Sequence, residues 1–216
     1  MRPTPNGIAA EGESWQARKS AQTRIAILEA AIDCLGEYGY ANTTTQMISD
    51  MAGISRGAML HHYATKLDLI AATIDYIFVK RMQFFSEEIT ALPEQARIQE
   101  QQGLELFWER LQGREFVAQL ELLVAARTDS DLKVLYEPRA IEFNSDWSRE
   151  IAKLFPEWGD AADRLQLAID FSQATLEGLM INRTAIYDRD RRVAVRQMLS
   201  EVILLIRDGK LTPGGD

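Results

Sequence analysis

The chain has 216 residues, 46% hydrophobic and 26% charged, with 32 acidic side chains against 24 basic ones and a net charge of −8. That length buries one good core or two modest ones. No apolar run reaches membrane-spanning length and the first twenty residues hold no signal-like apolar core, so no membrane partner is expected.

Residues 1–19 contain Pro3, Pro5, Gly7 and Gly12 among few apolar residues, and are expected to form a disordered leader ending in Arg18 and Lys19. Two readings of it stay open, an inert tail and a basic arm. From about Gln22 the apolar spacing is helical almost to the end and strand-like alternation is nearly absent, so an all-α fold is expected. The first helix carries Ile27, Ala31, Cys34 and Leu35 on one side. Cys34 is the only cysteine, which excludes an intrachain disulfide framework and suits a cytoplasmic protein. It reads as a small buried hydrophobe, with a redox sensor as the alternative.

The stretch from Thr43 to Leu69, TTTQMISDMAGISRGAMLHHYATKLDL, is the most informative in the chain. A Thr run opens a short helix that carries Met47, Ile48 and Met51 at helical spacing. Ala52 permits close contact, Gly53 supplies the permissive backbone of a sharp turn, and Ser55 caps the next helix. Two short helices joined this way form a helix-turn-helix, whose second helix enters a DNA major groove. The reading helix is expected over about Ser55–His62, with Arg56, Ala58 and His61 toward base edges. Thr44, Ser55, Gly57, His62, Tyr63 and Lys66 are expected on phosphates, and Thr45 and Gln46 complete the candidate DNA-binding set. On this reading the leader would be a minor-groove arm if it is not inert.

These residues resemble the DNA-binding domain of the TetR family of bacterial transcriptional regulators. Thr43 and Thr44 match its Thr pair, and Ile48, Ala52, Gly53, Ile54 and Ser55 match its central core. Gly57, His62, Tyr63, Lys66 and Leu69 match the remainder, while Ile27, Ala30, Ala31, Leu35, Gly39 and Tyr40 look like its first helix and exit turn. The chain departs from the pattern at Ser49, usually Ala, and at Leu60, usually a Tyr that touches phosphate. The match covers about residues 22–70.

Beyond it, Thr65 caps a long helix through Leu67, Ile70, Ile74, Ile77, Phe78, Met82, Phe85 and Ile89, which Pro93 ends. Three or four more helices are expected over 95–158, with the TDSD run at 128–131 capping the last of them. Two long helices, about 161–187 and 190–208, close the chain. The first is apolar on two sides and so needs two partners. A four-helix homodimer interface follows, and the resemblance implies the same; Leu176, Gly178, Met180, Met198, Val202 and Ile206 are its candidates.

Charge is unevenly spread. Residues 1–66 hold six Lys/Arg and six Asp/Glu, so residues 67–216 carry the whole net −8. Few phosphates can be neutralised, and backbone N–H groups and hydroxyls must supply much of the phosphate contact. His61 and His62 are adjacent and point about 100° apart on a helix, so no metal site is expected. There is no phosphate loop, no G-x-S-x-G and no Cys–His pairing, hence no catalytic residues, no cofactor and no enzyme. The aromatics Phe107, Trp108, Phe116, Tyr136, Phe143 and Trp147 form either an ordinary core or a ligand cavity. The resemblance favours a small-molecule pocket, with Phe107, Trp108, Phe116, Phe143 and Trp147 as its candidates.

The expected protein is therefore all-α, with about nine helices: a helix-turn-helix domain over 20–66 and a ligand-binding and dimerisation domain over 67–216. A dimeric repressor released from a palindromic double-stranded DNA operator by a small-molecule effector is the reading the resemblance implies. The alternative is an all-α ligand-binding or adaptor protein whose helix-turn-helix is only scaffold.

Overall fold

A computed structural model describes residues 15–93, 100–159, 161–186 and 188–211. All regular structure among them is helical: α1 (Trp15–Asn42), α2 (Thr45–Met51), α3 (Arg56–His62), α4 (Lys66–Ala91), α5 (Glu100–Leu111), α6 (Arg114–Ala126), α7 (Ser130–Leu154), α8 (Ala162–Ile181) and α9 (Arg189–Arg207), with a 3-10 turn at Pro156–Trp158. None of these helices is long and apolar enough to cross a membrane.

Two boundaries differ from expectation. Trp15–Lys19, expected in the disordered leader, are the first turn of α1, with the Lys19 ammonium 5.1 Å from the Trp15 ring centre. No Pro or Gly interrupts the chain between Ser14 and Gly36, so nothing stops the helix from extending back. The remainder of the leader lies outside the described residues. The first closing helix, expected to reach 187, ends at Ile181. Asn182 stops it there by donating its side-chain amide to the Gly178 carbonyl at 2.8 Å. Asp188 then caps α9, accepting from the N–H groups of Asp190 and Arg191.

The chain divides into two compact units. The first takes residues up to Arg81 together with Arg114–Glu142, so α6 and the start of α7 join the helix-turn-helix. Its core gathers Ile27, Leu28, Ala31, Cys34, Ile48, Met59 and Leu69. Cys34 is fully buried and burial raises its thiol pKa, with Asp33 and Glu37 adding to the rise, which suits the small-hydrophobe reading. α6 lies along α1, where Val117 touches the Gly36 position and Arg114 pairs with Glu29 and Asp33. Lys80 joins the same group by pairing with Glu29 at 2.8 Å and Glu115 at 2.7 Å.

The second unit takes Met82–Gly113 and the chain from Phe143. In it α8 and α9 pack against each other and both against α5. Phe107, Trp147, Leu165, Ile169, Leu176, Leu199 and Ile203 are among its buried residues. Two helices, α4 and α7, run without a break from one unit into the other.

Candidate nucleic-acid interface

The helix-turn-helix is fixed by its caps. Thr44 Oγ1 accepts from the Met47 N–H at 3.2 Å and Ser55 Oγ from the Ala58 N–H at 3.1 Å, so α2 and α3 each start where a hydroxyl meets a free donor. Between them Gly53 adopts φ +66°, its N–H reaching the Asp50 carbonyl at 3.1 Å while the Ile54 N–H reaches that of Ser49 at 3.0 Å. That pair of bonds is a Schellman motif, and it turns the chain within three residues. Met47, Ala52, Ile54 and Tyr63 pack against the core cluster, and Met59 is the buried anchor of α3.

With Met59 inward, α3 turns Arg56, Gly57, Leu60 and His61 to solvent, and Ala58 and His62 are half-buried at its margins. Arg56 has no hydrogen-bond or ion-pair partner among the described residues. A Cβ at Gly57 would meet nothing nearer than Ser55 Oγ at 4.0 Å, so packing within the chain gives no reason for glycine there. An approaching backbone or base edge does. Thr44 and Gln46 are exposed and Thr45 half-buried at the start of α2, and Gln46 Nε2 donates to Asp50 at 2.7 Å.

Three residues of the expected set are more tied down than their sequence suggests. Tyr63 ends α3, with its N–H on the Met59 carbonyl at 2.9 Å and its ring against the core. His62 is pulled below the ordinary imidazole pKa by burial, then by the charges of His61 and Arg24, which favours its neutral form. Lys66 donates to the Tyr40 carbonyl at 2.8 Å and lies 4.2 Å from that ring's centre, tying the start of α4 to the end of α1. Two of its three N–H donors remain for a phosphate. Beside them α4 opens on a capping box: the Asp68 N–H donates to Thr65 Oγ1 and the Thr65 N–H to Asp68 Oδ2, both at 3.0 Å.

The neutral charge of residues 1–66 resolves into two faces. Glu29 and Asp33 are engaged by Lys80 and Arg114 on the α6 side of α1. Burial alone would raise the Glu29 carboxyl, but hydrogen bonds from Lys80 and Tyr76 and the charges of Lys80 and Arg114 outweigh it and hold the pKa down. Exposed Arg24 acts instead on His62 and Tyr63 at the end of α3. It was missed in the sequence because nothing in the helical spacing of α1 points to α3.

The profile of a family described as "Bacterial regulatory proteins, tetR family" matches residues 27–73, which span α1 from its first buried residue to the start of α4. Residues 27–73 are a DNA-binding domain of the TetR type. An uncharacterized HTH-type transcriptional regulator of Mycobacterium tuberculosis is 28% identical over 173 residues, covering 80% of this chain and 83% of its own. The HTH-type transcriptional regulator CymR of Pseudomonas putida is 29% identical over 193 residues, covering 87% and 92%. A solved putative transcriptional regulator from Pseudomonas aeruginosa PAO1 shares the fold with a TM-score of 0.65 at 20% identity, over 92% of this chain and 94% of that one. Both curated relatives are named as HTH-type transcriptional regulators.

The second unit holds an almost wholly apolar cavity of about 80 Å³. Phe85, Phe107, Trp147, Phe155 and Trp158 give it aromatic walls, and Ser172 and Gln173 are its only polar lining. A Cβ at Gly103 would come within 2.9 Å of Phe155 Cζ, so glycine lets that ring form the wall. The five aromatics expected to line a pocket do not form one group. Phe107 and Trp147 line the cavity, with ring centres 5.8 Å apart, and Phe143 stacks on Trp147 at 5.9 Å without lining it. Trp108 lines a separate polar cleft, and Phe116 belongs to the first unit, where Arg81 lies over its ring.

The expected interface residues also divide. Leu176 is fully buried, and Met180 and Ile206 are 5% and 3% exposed. Their side chains are used in the chain's own core and cannot meet a second copy. The other side of α8 is the open one, with Phe171 42% and Ile181 54% exposed and Gly178 facing empty space. Met198 is exposed on α9 and Val202 half-buried.

Proposed function

We propose that the protein is a homodimeric repressor acting in the bacterial cytoplasm. It binds a palindromic operator through α3 and is released by a small molecule held in the second unit. The observation that carries the DNA-reading part is the outward face of α3, where Arg56 has no partner among the described residues and Gly57 leaves the backbone approachable. Arg56 reads a base edge; Thr44, Ser55, Gly57 and Lys66 grip phosphates, and Arg24 adds a cation beside them. Thr45, Gln46, Ala58 and His61 complete the contact surface, while His62 contributes as a hydrogen-bond donor and Tyr63 chiefly by packing.

Dimerisation uses the exposed side of α8, Phe171, Ala174, Gly178 and Ile181, with Met198 and Leu205 of α9. Four apolar helices meeting across a two-fold axis bury a face that a lone chain leaves wet. The effector pocket is the apolar cavity; with no charged residue on its wall, it suits a compact neutral molecule that can hydrogen-bond Gln173 or Ser172.

Selection of bound fragments from random duplex DNA, followed by footprinting, tests the reading. Two inverted half-sites protected on one face of the duplex are expected. Recovery of no preferred sequence, or of a single unrepeated half-site, overturns it.

A further inference from the structure

The second unit contains another cleft that the regulatory reading leaves unused. Four of the chain's 24 basic side chains, Arg183, Arg189, Arg192 and Arg196, line one space of about 490 Å³ between α5, the end of α8 and the start of α9. In a protein of net charge −8, such a concentration of like charge is unfavourable unless something answers it.

The internal partners answer only part of it. Arg196 is held firmly: its side chain is 14% exposed, it pairs with Glu105 at 3.1 Å, and it lies 5.0 Å from the Trp108 ring centre. Arg192 is steadied from one side by donating Nη1 to the Ile186 carbonyl at 2.6 Å, a neutral acceptor that leaves its charge unbalanced. Arg183 and Arg189 are exposed and have no side-chain partner among the described residues. Glu109 is the one other carboxylate on the lining, so the cleft keeps a surplus of guanidinium. Trp108, Met180 and Val193 supply an apolar wall beside the charge.

We propose that this cleft is a binding site for a small organic oxyanion, with a carboxylate or phosphate held by Arg183, Arg189 and Arg192 and an apolar body against Trp108, Met180 and Val193. A planar guanidinium matches either oxyanion with two parallel N–H donors, and Arg192 is pre-oriented for it. Arg196 positions the wall; its own charge is already taken by Glu105. The site is distinct from the apolar cavity, whose wall carries no charge, and it does not depend on that cavity's role.

The test uses the full chain and calorimetry at fixed ionic strength, with phenyl phosphate and phenylacetate as anionic probes and benzyl alcohol as the uncharged control. Saturable one-to-one binding of at least one anion is expected, the preferred one telling phosphate from carboxylate. Arg183→Gln with Arg189→Gln, both on exposed positions, should weaken it about tenfold or more while leaving the melting temperature and any benzyl alcohol binding unchanged. Arg192→Gln should do the same alone. No saturable binding below about 10 mM overturns the proposal, as does equal affinity in wild type and variants. A loss confined to DNA affinity would overturn it too, by making the arginines a nucleic-acid surface.

Discussion

Arg56 follows directly on the Ser55 cap, and its guanidinium has no partner among the described residues. A two-pronged donor so placed suits guanine O6 and N7, worth about 1–3 kcal/mol at one base pair. Arg56→Ala should therefore flatten the preference at that position as well as weaken binding; a uniform loss across sequences in a binding assay would make Arg56 a phosphate contact. Leu60 is 42% exposed one turn further along the same face, where the family usually has Tyr. An apolar side chain there can meet a thymine methyl but cannot bond phosphate. Lys66 has a double role. With one N–H on the Tyr40 carbonyl, Lys66→Ala should lower stability through the lost tie and also make the salt dependence of operator binding shallower by about one contact. Titrating affinity against salt separates the two effects, since a purely structural lysine would leave the slope unchanged.

At the scale of elements, the helix-turn-helix was legible because its punctuation is local. Thr44, Gly53 and Ser55 each act on backbone groups within three residues, so their chemistry is readable without knowing the fold. Gly53 shows how sharply. Nothing lies within 4 Å of a Cβ built there, so Gly53→Ala meets no clash and its cost is that of φ +66° alone, about 1–2 kcal/mol in a denaturation experiment. The start of α1 and the partnership of α1 with α6 were not legible: the first lacks any stop signal to mark it, and the second joins residues some eighty positions apart. That joint has its own pH signature. Glu29 and Glu115 are both held below the ordinary carboxylate value of 4.5; burial opposes this, but Lys80 and Arg114 prevail. A carboxyl depressed in the folded state stabilises above its unfolded pKa and loses that contribution as pH falls through the folded one. The first unit should thus hold its stability down to about pH 4.5 and weaken below it. Glu29→Gln should cost on the order of 1 kcal/mol at pH 7 and show a shallower acid limb in denaturant titrations from about pH 5 to 3.

For the whole molecule, the two apolar stripes on α8 were visible in the sequence, but not which of them faces inward. Spacing reports that two faces are apolar; only the packing of α5 and α9 decides that Leu176 is core and Phe171 is surface. The substitutions that should split the proposed dimer change accordingly. Phe171→Glu or Met198→Glu should give folded monomers, in sedimentation, that no longer hold a two-half-site operator, whereas Leu176→Glu should simply unfold the second unit.

Release by an effector then rests on what connects pocket and reading head. Phe85, on α4, and Trp147, on α7, both line the apolar cavity, and both helices continue unbroken into the unit that carries α3. A packed helix moves as a body, so in the proposed dimer a ligand that shifts either one at the cavity would change the register of the two heads on a palindrome. The energy available is the ligand's differential affinity for the two states, about 1–3 kcal/mol in such couplings, or roughly 5–150-fold. Linkage makes the effect reciprocal: operator DNA must weaken the ligand by the same factor that the ligand weakens DNA. Calorimetry of a cavity ligand with and without saturating operator measures both arms. Filling the cavity by Ala168→Leu should mimic the occupied state in part, lowering operator affinity without added ligand. If ligand affinity is identical in the two titrations, the molecule is bound without signalling, and release would have to act through some other site.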